Sequence, residues 1–375
     1  WAEANLTAVN KASYEMQGRA LRVYYYNNLW HYFGNIPFYL ENLSSPYTAP
    51  QLSADEVYNN LITELESVIN SNVLPMRWDD VNCGRMSQAM CYMMYAEMVM
   101  YQKDTSRYAT ALQYMQEIIN DKNKYGIMDD FASIWKNSGE WCKESIWEVN
   151  YEIGFSERSW SNPQGIGGTV LPTLISPNSW PGGEGWDAGA NGWGFMPVRT
   201  ETYNMFASND KRRDATVWDC RGVEYTKRYQ DTGFWLGKYR PYTENNATSG
   251  DKDLNYNNNL RVYRVAEAYL NAAELLLETG GDATKAKDYV NVIRRRAGIA
   301  ELGAVTVDDV INERHLEFVG EGKRYFDLVR TGKAASVLVP DEYGYRTNSW
   351  TESKKYIPIA QAELDSDPAL VQNNY

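Results

Sequence analysis

The sequence predicts a mostly α fold in which tetratricopeptide-like helical hairpins flank a loop-rich, partly β region that carries the ligand surface. Three observations predict it. Helical periodicity is strong at both ends of the 375 residues and absent in the middle. A two-helix unit occurs twice. Between the two occurrences lies a stretch dense in Gly, Asn, Pro and Trp, the punctuation of loops rather than of helices. The organisation read from this is a helical scaffold over residues 1–124, a loop-rich binding region over 125–259, and a second hairpin with its C-terminal extension over 260–375, together one integrated domain.

The elements follow in order. From Lys11 to Phe33, Tyr14, Leu21, Tyr25, Leu29 and Trp30 fall at helical spacing, and Gly34 ahead of Pro37 ends the run. Ser53-Ala-Asp-Glu56 is a capping box that opens a helix through about Ile69. Arg85 to Tyr101 is apolar almost all round, as a buried helix is. A turn over Asp104–Arg107 leads into a helix from Tyr108 to Asn120. Ala96-Glu97 followed by Ala111, Tyr114 and Ile118 then matches Ala273-Glu274 followed by Ala286, Tyr289 and Ile293. Small residues let paired helices approach while Tyr and Ile fill the gaps, and one such unit cannot bury its own face without a neighbour. A generic bundle of antiparallel helices is the competing explanation.

Between about Tyr125 and Asn259 the pattern changes. Short β-like runs such as Ser145-Ile-Trp-Glu-Val-Asn-Tyr151 alternate with loops, and Ser156–Phe195 holds Trp160, Trp180, Trp186 and Trp193 among many glycines. A loop of that length is functional or disordered, and four Trp argue against disorder.

Composition removes several functions. A formal charge of −12 disfavours nucleic acid, which needs a basic surface. No apolar run is long enough to span a bilayer. Cys83, Cys91, Cys142 and Cys220 are scattered without a Cys-x-x-Cys, and His31 and His315 lie far apart, so no zinc site is expected; a single disulfide stays open. No Walker, nucleophile-elbow or dinucleotide motif occurs; Gly165-Ile-Gly-Gly168 has the wrong spacing. No cofactor is expected. Aromatics reach 14%, with 29 Tyr and 13 Trp, residues that suit surfaces both apolar and polar.

Four separated segments resemble SusD/RagB-type nutrient-binding lipoproteins of Bacteroidetes. They are Gly18–Tyr26 with Phe33-Gly-Asn-Ile-Pro37; Glu144-Ser-Ile-Trp-Glu-Val-Asn150; Arg264-Val-Ala-Glu-Ala-Tyr-Leu-Asn-Ala-Ala-Glu274; and Glu313–Arg330, followed by Tyr356–Gln361 and Gln372-Asn-Asn-Tyr375. The resemblance implies a SusD-like α-α superhelix with four tetratricopeptide-like hairpins. It implies a non-catalytic surface glycan-binding protein of the cell outer membrane, delivering oligosaccharide to a SusC-like TonB-dependent transporter. Mature relatives are longer, so an N-terminal portion with the lipidated Cys, which also supplies part of the glycan site, is expected to be missing. Any membrane attachment would be through that lipid anchor.

A pyranose offers an apolar C–H face to an aromatic ring and a rim of hydroxyls to polar groups. Trp160, Trp180, Trp186 and Trp193, with Asn162, Asn178, Asp187 and Asn191 among them, supply both, and at least one Trp is expected to stack on sugar. Trp193, in a segment like a recurrent family element, leans toward a structural role. Glu313, Arg314, His315, Glu317, Asp327 and Arg330 could be mistaken for a catalytic cluster, but their spacing reads as ion pairs bracing helix ends, with Asp327 and Arg330 at i,i+3. Asp251-Lys-Asp-Leu-Asn-Tyr-Asn257 begins like a calcium loop, yet Tyr256 and Val262 stand where an EF-hand needs Gly and Glu. No metal is assigned. Two other functions remain open: an α-helical glycoside hydrolase, for which Glu148 and Asp187 could pair across a cleft, and a repeat-type protein-interaction scaffold.

Overall fold

The computed structural model describes residues 6–154, 158–162, 165, 167–181, 192–246, 251–342 and 344–374. Its described residues are mostly helical, with three two-stranded antiparallel sheets. The chain divides into two compact units, Trp1–Tyr114 with Tyr325–Tyr375, and Met115–Arg324.

The first unit opens with α1 (Ala8–Phe33), capped by the Thr7 hydroxyl, which accepts from Asn10 N. The helix stops at Gly34, at φ +66, where an added Cβ would come within 2.5 Å of the Tyr356 ring. Only glycine combines that backbone with that contact. A short ladder pairs β1 (Ile36–Pro37) with β2 (Gln51–Leu52). Then α2 (Ala54–Asn70) begins with the expected capping box, Glu56 N donating to Ser53 Oγ and Ser53 N to the Glu56 carboxylate. It buries Val57, Leu61, Leu65 and Val68 along one face. Helix α3 (Gln88–Gln102) is buried at every position except Glu97 and Gln102, as its composition implies. Helix α4 (Tyr108–Asn120) follows and carries the chain from this unit into the second at Met115; its Tyr114 is stacked on Tyr92 with ring centroids 4.1 Å apart. The outward face of α1 differs from expectation. Of the residues that mark its period only Trp30 is buried; Tyr14, Leu21, Tyr25 and Leu29 face solvent, while Met16, Ala20, Val23 and Asn27 turn inward.

In the second unit β3 (Ser145–Val149) leads to three short helices, α5 (Leu171–Ile175), α6 (Thr200–Met205) and α7 (Lys211–Thr216). Strand β4 (Val217–Asp219) pairs with β5 (Phe234–Leu236), and β3 pairs with β6 (Leu260–Arg264). The chain ends its run here with α8 (Val265–Glu278), α9 (Ala283–Ala297) and α10 (Val307–Glu317). The α8–α9 pair is the second copy of the repeated unit. Ala273, Ala286 and Ile293 have no exposed surface, and Tyr289 meets Tyr269 edge-on at 5.5 Å. In both copies the repeat Tyr packs on a Tyr of the preceding helix.

A buried ion network joins these elements. Arg264 reaches Glu144 at 2.7 Å, Glu317 at 3.0 Å and Glu321 at 2.8 Å. Arg296 reaches Glu317 at 2.5 Å and Glu144 at 3.3 Å. Arg212 binds Asp210 at 2.8 Å, Glu313 at 2.6 Å and Glu317 at 3.2 Å, while Lys238 sits 2.5 Å from Glu321. Arg294, less buried, adds a contact to Glu313 at 2.8 Å. Phe131, Trp135 and Phe318 lie under the guanidinium of Arg264, within 5.2–5.8 Å. Burial alone would raise the Glu317 carboxyl, but Arg296, Arg264, Arg212 and Lys238 outweigh it and hold it well below the usual carboxylate range. Burial pulls the Lys238 ammonium down to about 8 despite Glu321. Glu313 and Glu317, expected as ion-pair braces, do pair, and they do so in the interior; Arg314, also buried, lies 3.4 Å from Glu267. Asp327 and Arg330 do pair, at 2.8 Å.

Removing one partner strands the others in a low-dielectric interior, so Glu317→Ala is expected to cost about 3–5 kcal/mol in urea unfolding. The folded carboxyl lies below its unfolded value of 4.5, so its stabilisation is complete above that value and is lost as pH falls toward the depressed one. Acidification below about pH 4.5 should therefore lower the wild-type urea midpoint steeply. Glu317→Gln should start from a lower midpoint at neutral pH and lose less; parallel pH curves would refute the depressed pKa.

Candidate functional site

In the second unit, segment 192–198 runs beside α5. A short helix leaves its last carbonyls without partners, and this segment supplies them. Trp193 N donates to Thr173 O at 2.8 Å, Phe195 N to Leu174 O at 2.9 Å and Gly194 N to Ser176 O at 3.0 Å. Gly192 must be glycine because a Cβ there would overlap the Ser176 carbonyl. Gly194, at φ +68, turns the chain so that Trp193 and Phe195 stand on either side of it. Beyond them Val198 N donates to Phe234 O at 2.7 Å, anchoring the segment to β5.

Trp160 meets this segment from a separate turn. Ser159 and Asn162 exchange backbone hydrogen bonds of 3.0–3.1 Å around it. The backbone N of Trp160 donates to Asp251 Oδ2 at 2.8 Å. Fully buried Asn255 clamps the turn below: its Oδ1 accepts from Arg158 N at 2.8 Å, and its Nδ2 donates to Arg158 O at 2.7 Å and Asp251 O at 3.0 Å. The Asp251 segment read as a possible calcium loop thus positions an aromatic ring.

The result is an aromatic platform. Trp160 and Trp193 have ring centroids 5.8 Å apart at 39°, and Phe195 lies edge-on to Trp193 at 6.1 Å. Trp160 is 61% exposed and Phe195 68%, with Trp193 half-buried between them. Large rings held open to water on backbone whose N–H groups at Trp160, Trp193 and Phe195 are hydrogen-bonded are an exposed apolar patch of the kind that marks a binding surface. Chemically it can stack on the C–H face of a sugar ring, with no charge needed.

The other sequence candidates are distributed differently. Trp180 is 7% exposed and packs with Trp218, Cys220 and Trp235, its ring 4.5 Å from that of Trp218. It has no face left for a ligand and is a core residue, for apolar burial outweighs any use at the surface. Asn178 is half-buried and staples loops, its Nδ2 donating to Gly192 O at 3.0 Å and its O accepting from Thr226 N at 2.9 Å. Asn162 is exposed in the Trp160 turn. Trp186, Asp187 and Asn191 lie outside the described residues. Trp193, expected to be structural, is shared between packing and the platform. Phe195, Asp251 and Asn255 were missed as site residues; the apolar run Trp193–Met196 inside a glycine-rich loop was the available signal for Phe195. Glu148 is buried and accepts from Trp141 N and Asn259 Nδ2, both at 3.0 Å.

Residues 143–375 match the sequence model of the SusD family. The surface glycan-binding protein A of Bacteroides uniformis is 60% identical, with a TM-score of 0.92 over 100% of this chain and 80% of that one. The surface glycan-binding protein A of Bacteroides thetaiotaomicron, solved in complex with laminarihexaose, is 52% identical, with a TM-score of 0.92 over 99% of this chain and 80% of that one. A SusD-like protein of Formosa agariphila is 25% identical across 95% of this chain and 70% of its own length. These structural relatives carry the names of binding proteins, not of enzymes.

Trp180 and Trp160 should separate on substitution. Trp180→Ala is expected to lose about 3–5 kcal/mol of stability by emptying a core position. Trp160→Ala should leave the thermal midpoint essentially unchanged. Equal losses in a melting experiment would contradict the division between core and platform.

Proposed function

This chain belongs to the SusD family, and on that premise we propose that it is a non-catalytic glycan-binding protein of the outer-membrane surface. It captures oligosaccharide on the rings of Trp160, Trp193 and Phe195 and delivers it to a SusC-like TonB-dependent transporter. The observation that carries this reading is the set of three neighbouring rings, two of them more than half exposed, on residues whose backbone N–H groups are hydrogen-bonded. The laminarihexaose bound by the 52% identical relative supports a β-1,3-linked glucan as the ligand class. A neutral glucan suits a platform that offers apolar faces first. Specificity then depends on hydrogen-bonding groups around the rim.

Isothermal titration with a β-1,3-glucose hexasaccharide tests the proposal. Wild type should bind, and Trp160→Ala and Trp193→Ala should each weaken binding by about tenfold or more, some 1.4 kcal/mol. Incubation with the polysaccharide should release no reducing ends. Unchanged affinity in both variants would remove the platform, and steady reducing-end release would replace the binder with a hydrolase.

A further inference from the structure

The turn over Tyr225–Asp231 lies directly beside the platform and has no part in it so far. Asp231 closes the turn: its Oδ1 accepts from Tyr225 OH at 2.7 Å and Gly233 N at 2.8 Å, its Oδ2 from Arg228 N at 3.2 Å, and its own N donates to Arg228 O at 3.2 Å. Tyr225 is tied in turn to the core, accepting from Trp235 Nε1 at 3.3 Å. Thr226 N donates to Asn178 O at 2.9 Å, and Asn178 Nδ2 donates to Gly192 O at 3.0 Å, so one asparagine fastens this turn to the segment bearing Trp193 and Phe195. The stem of Arg228 then crosses Gly194: a Cβ on that glycine would sit 2.5 Å from Arg228 Cγ and 3.4 Å from its Cβ. The Arg228 stem therefore lies against Gly194, whose two chain neighbours carry platform rings.

The ends of two side chains on this turn have no partner among the described residues. Tyr229 is 85% exposed and has no ring or hydrogen-bond partner among the described residues. The Arg228 guanidinium has no ion pair among them either, whereas nearby Arg221 is held by Asp219 at 2.8 Å. Ordering a turn with so many hydrogen bonds while leaving an aromatic ring and a guanidinium idle in water makes sense if a ligand uses them. A guanidinium is a planar fork of donors, matched to adjacent hydroxyls of a sugar. A tyrosine adds a stacking face at small cost in conformational entropy.

We propose that the Tyr225–Asp231 turn is a second wall of the glycan site, with Arg228 donating to sugar hydroxyls and Tyr229 stacking on a neighbouring sugar unit. This rests on the platform being the glycan site. The wall supplies what the three rings lack, a directional donor that reads hydroxyl positions.

The test is titration of the β-1,3-glucose hexasaccharide into wild type, Arg228→Ala, Tyr229→Ala, Lys227→Ala and Trp193→Ala, with melting temperatures as a check on folding. Arg228→Ala and Tyr229→Ala should each lower affinity about tenfold, with Lys227→Ala, on the same turn, staying within about twofold of wild type. Wild-type affinity in both Arg228→Ala and Tyr229→Ala, beside a loss in Trp193→Ala, overturns the wall and leaves the platform intact. Equal losses in all three turn variants would indicate a displaced loop and also overturn it. Wild-type affinity in Trp193→Ala as well would remove the platform, and the wall with it.

Discussion

The second unit depends on a set of charges kept away from water. Glu144, Glu317 and Glu321 surround Arg264, and Arg296, Arg212 and Lys238 complete the exchange. Each ion gives up hydration worth several kcal/mol, and only close pairing recovers it. Such a cluster contributes little net stability over an apolar core, but it tolerates no slippage. A shift that separates one pair strands a buried charge. The segment before β3, the end of β6, α9 and the end of α10 are therefore fixed relative to one another by paired charges as well as by apolar packing.

That constraint reaches the platform through β5. Lys238, inside the network, follows two residues after Leu236, the end of that strand. Leu236 is itself pressed on Gly320, which stands one residue before Glu321. The strand's Phe234 carbonyl holds Val198, and its Trp235 backs both the Trp180–Trp218 cluster and Gly194. Trp193 and Phe195 thus project from a segment whose anchors lead back to buried charge. A flexible loop would pay the ordering entropy at each encounter with a ligand. This one has met it during folding, which is the physical meaning of a preorganised site.

Much of the helical architecture was legible in the sequence because local chemistry dictates it. The Ser53–Glu56 capping box, the Gly34 stop, the all-round apolar α3 and the Ala/Tyr/Ile repeat each have a mechanism within a few residues. The solvent-facing side of α1 was not legible, since Tyr14, Leu21, Tyr25 and Leu29 obey the same periodicity whether or not anything covers them. Nor was the division between Trp180 and Trp160. Both lie in glycine-rich stretches with no period to assign a face, and the outcome depends on Trp218 and Trp235 arriving from elsewhere in the chain. Glu313 and Glu317 were visible as charges four apart on one helix. Their burial was not, because Arg212, Lys238 and Arg264 reach them from distant segments.

Asp251 and Asp231, which hold the turns at the platform, and Glu148, buried on β3, bear on why capture rather than cleavage fits this chain. Hydrolysis of a glycosidic bond needs one carboxyl that can give a proton and another that can act across the sugar, both free to reach the bond. Asp251 accepts from Trp160 N, Asp231 accepts from Tyr225 OH, Arg228 N and Gly233 N, and Glu148 is buried against Trp141 N and Asn259. Each of these carboxylates is engaged in holding backbone that presents a ring or closes a loop. Among the described residues, Asp251 and Asp231 are thus part of the scaffold that holds the turns, and moving either to act on a bound sugar would break hydrogen bonds that order those turns.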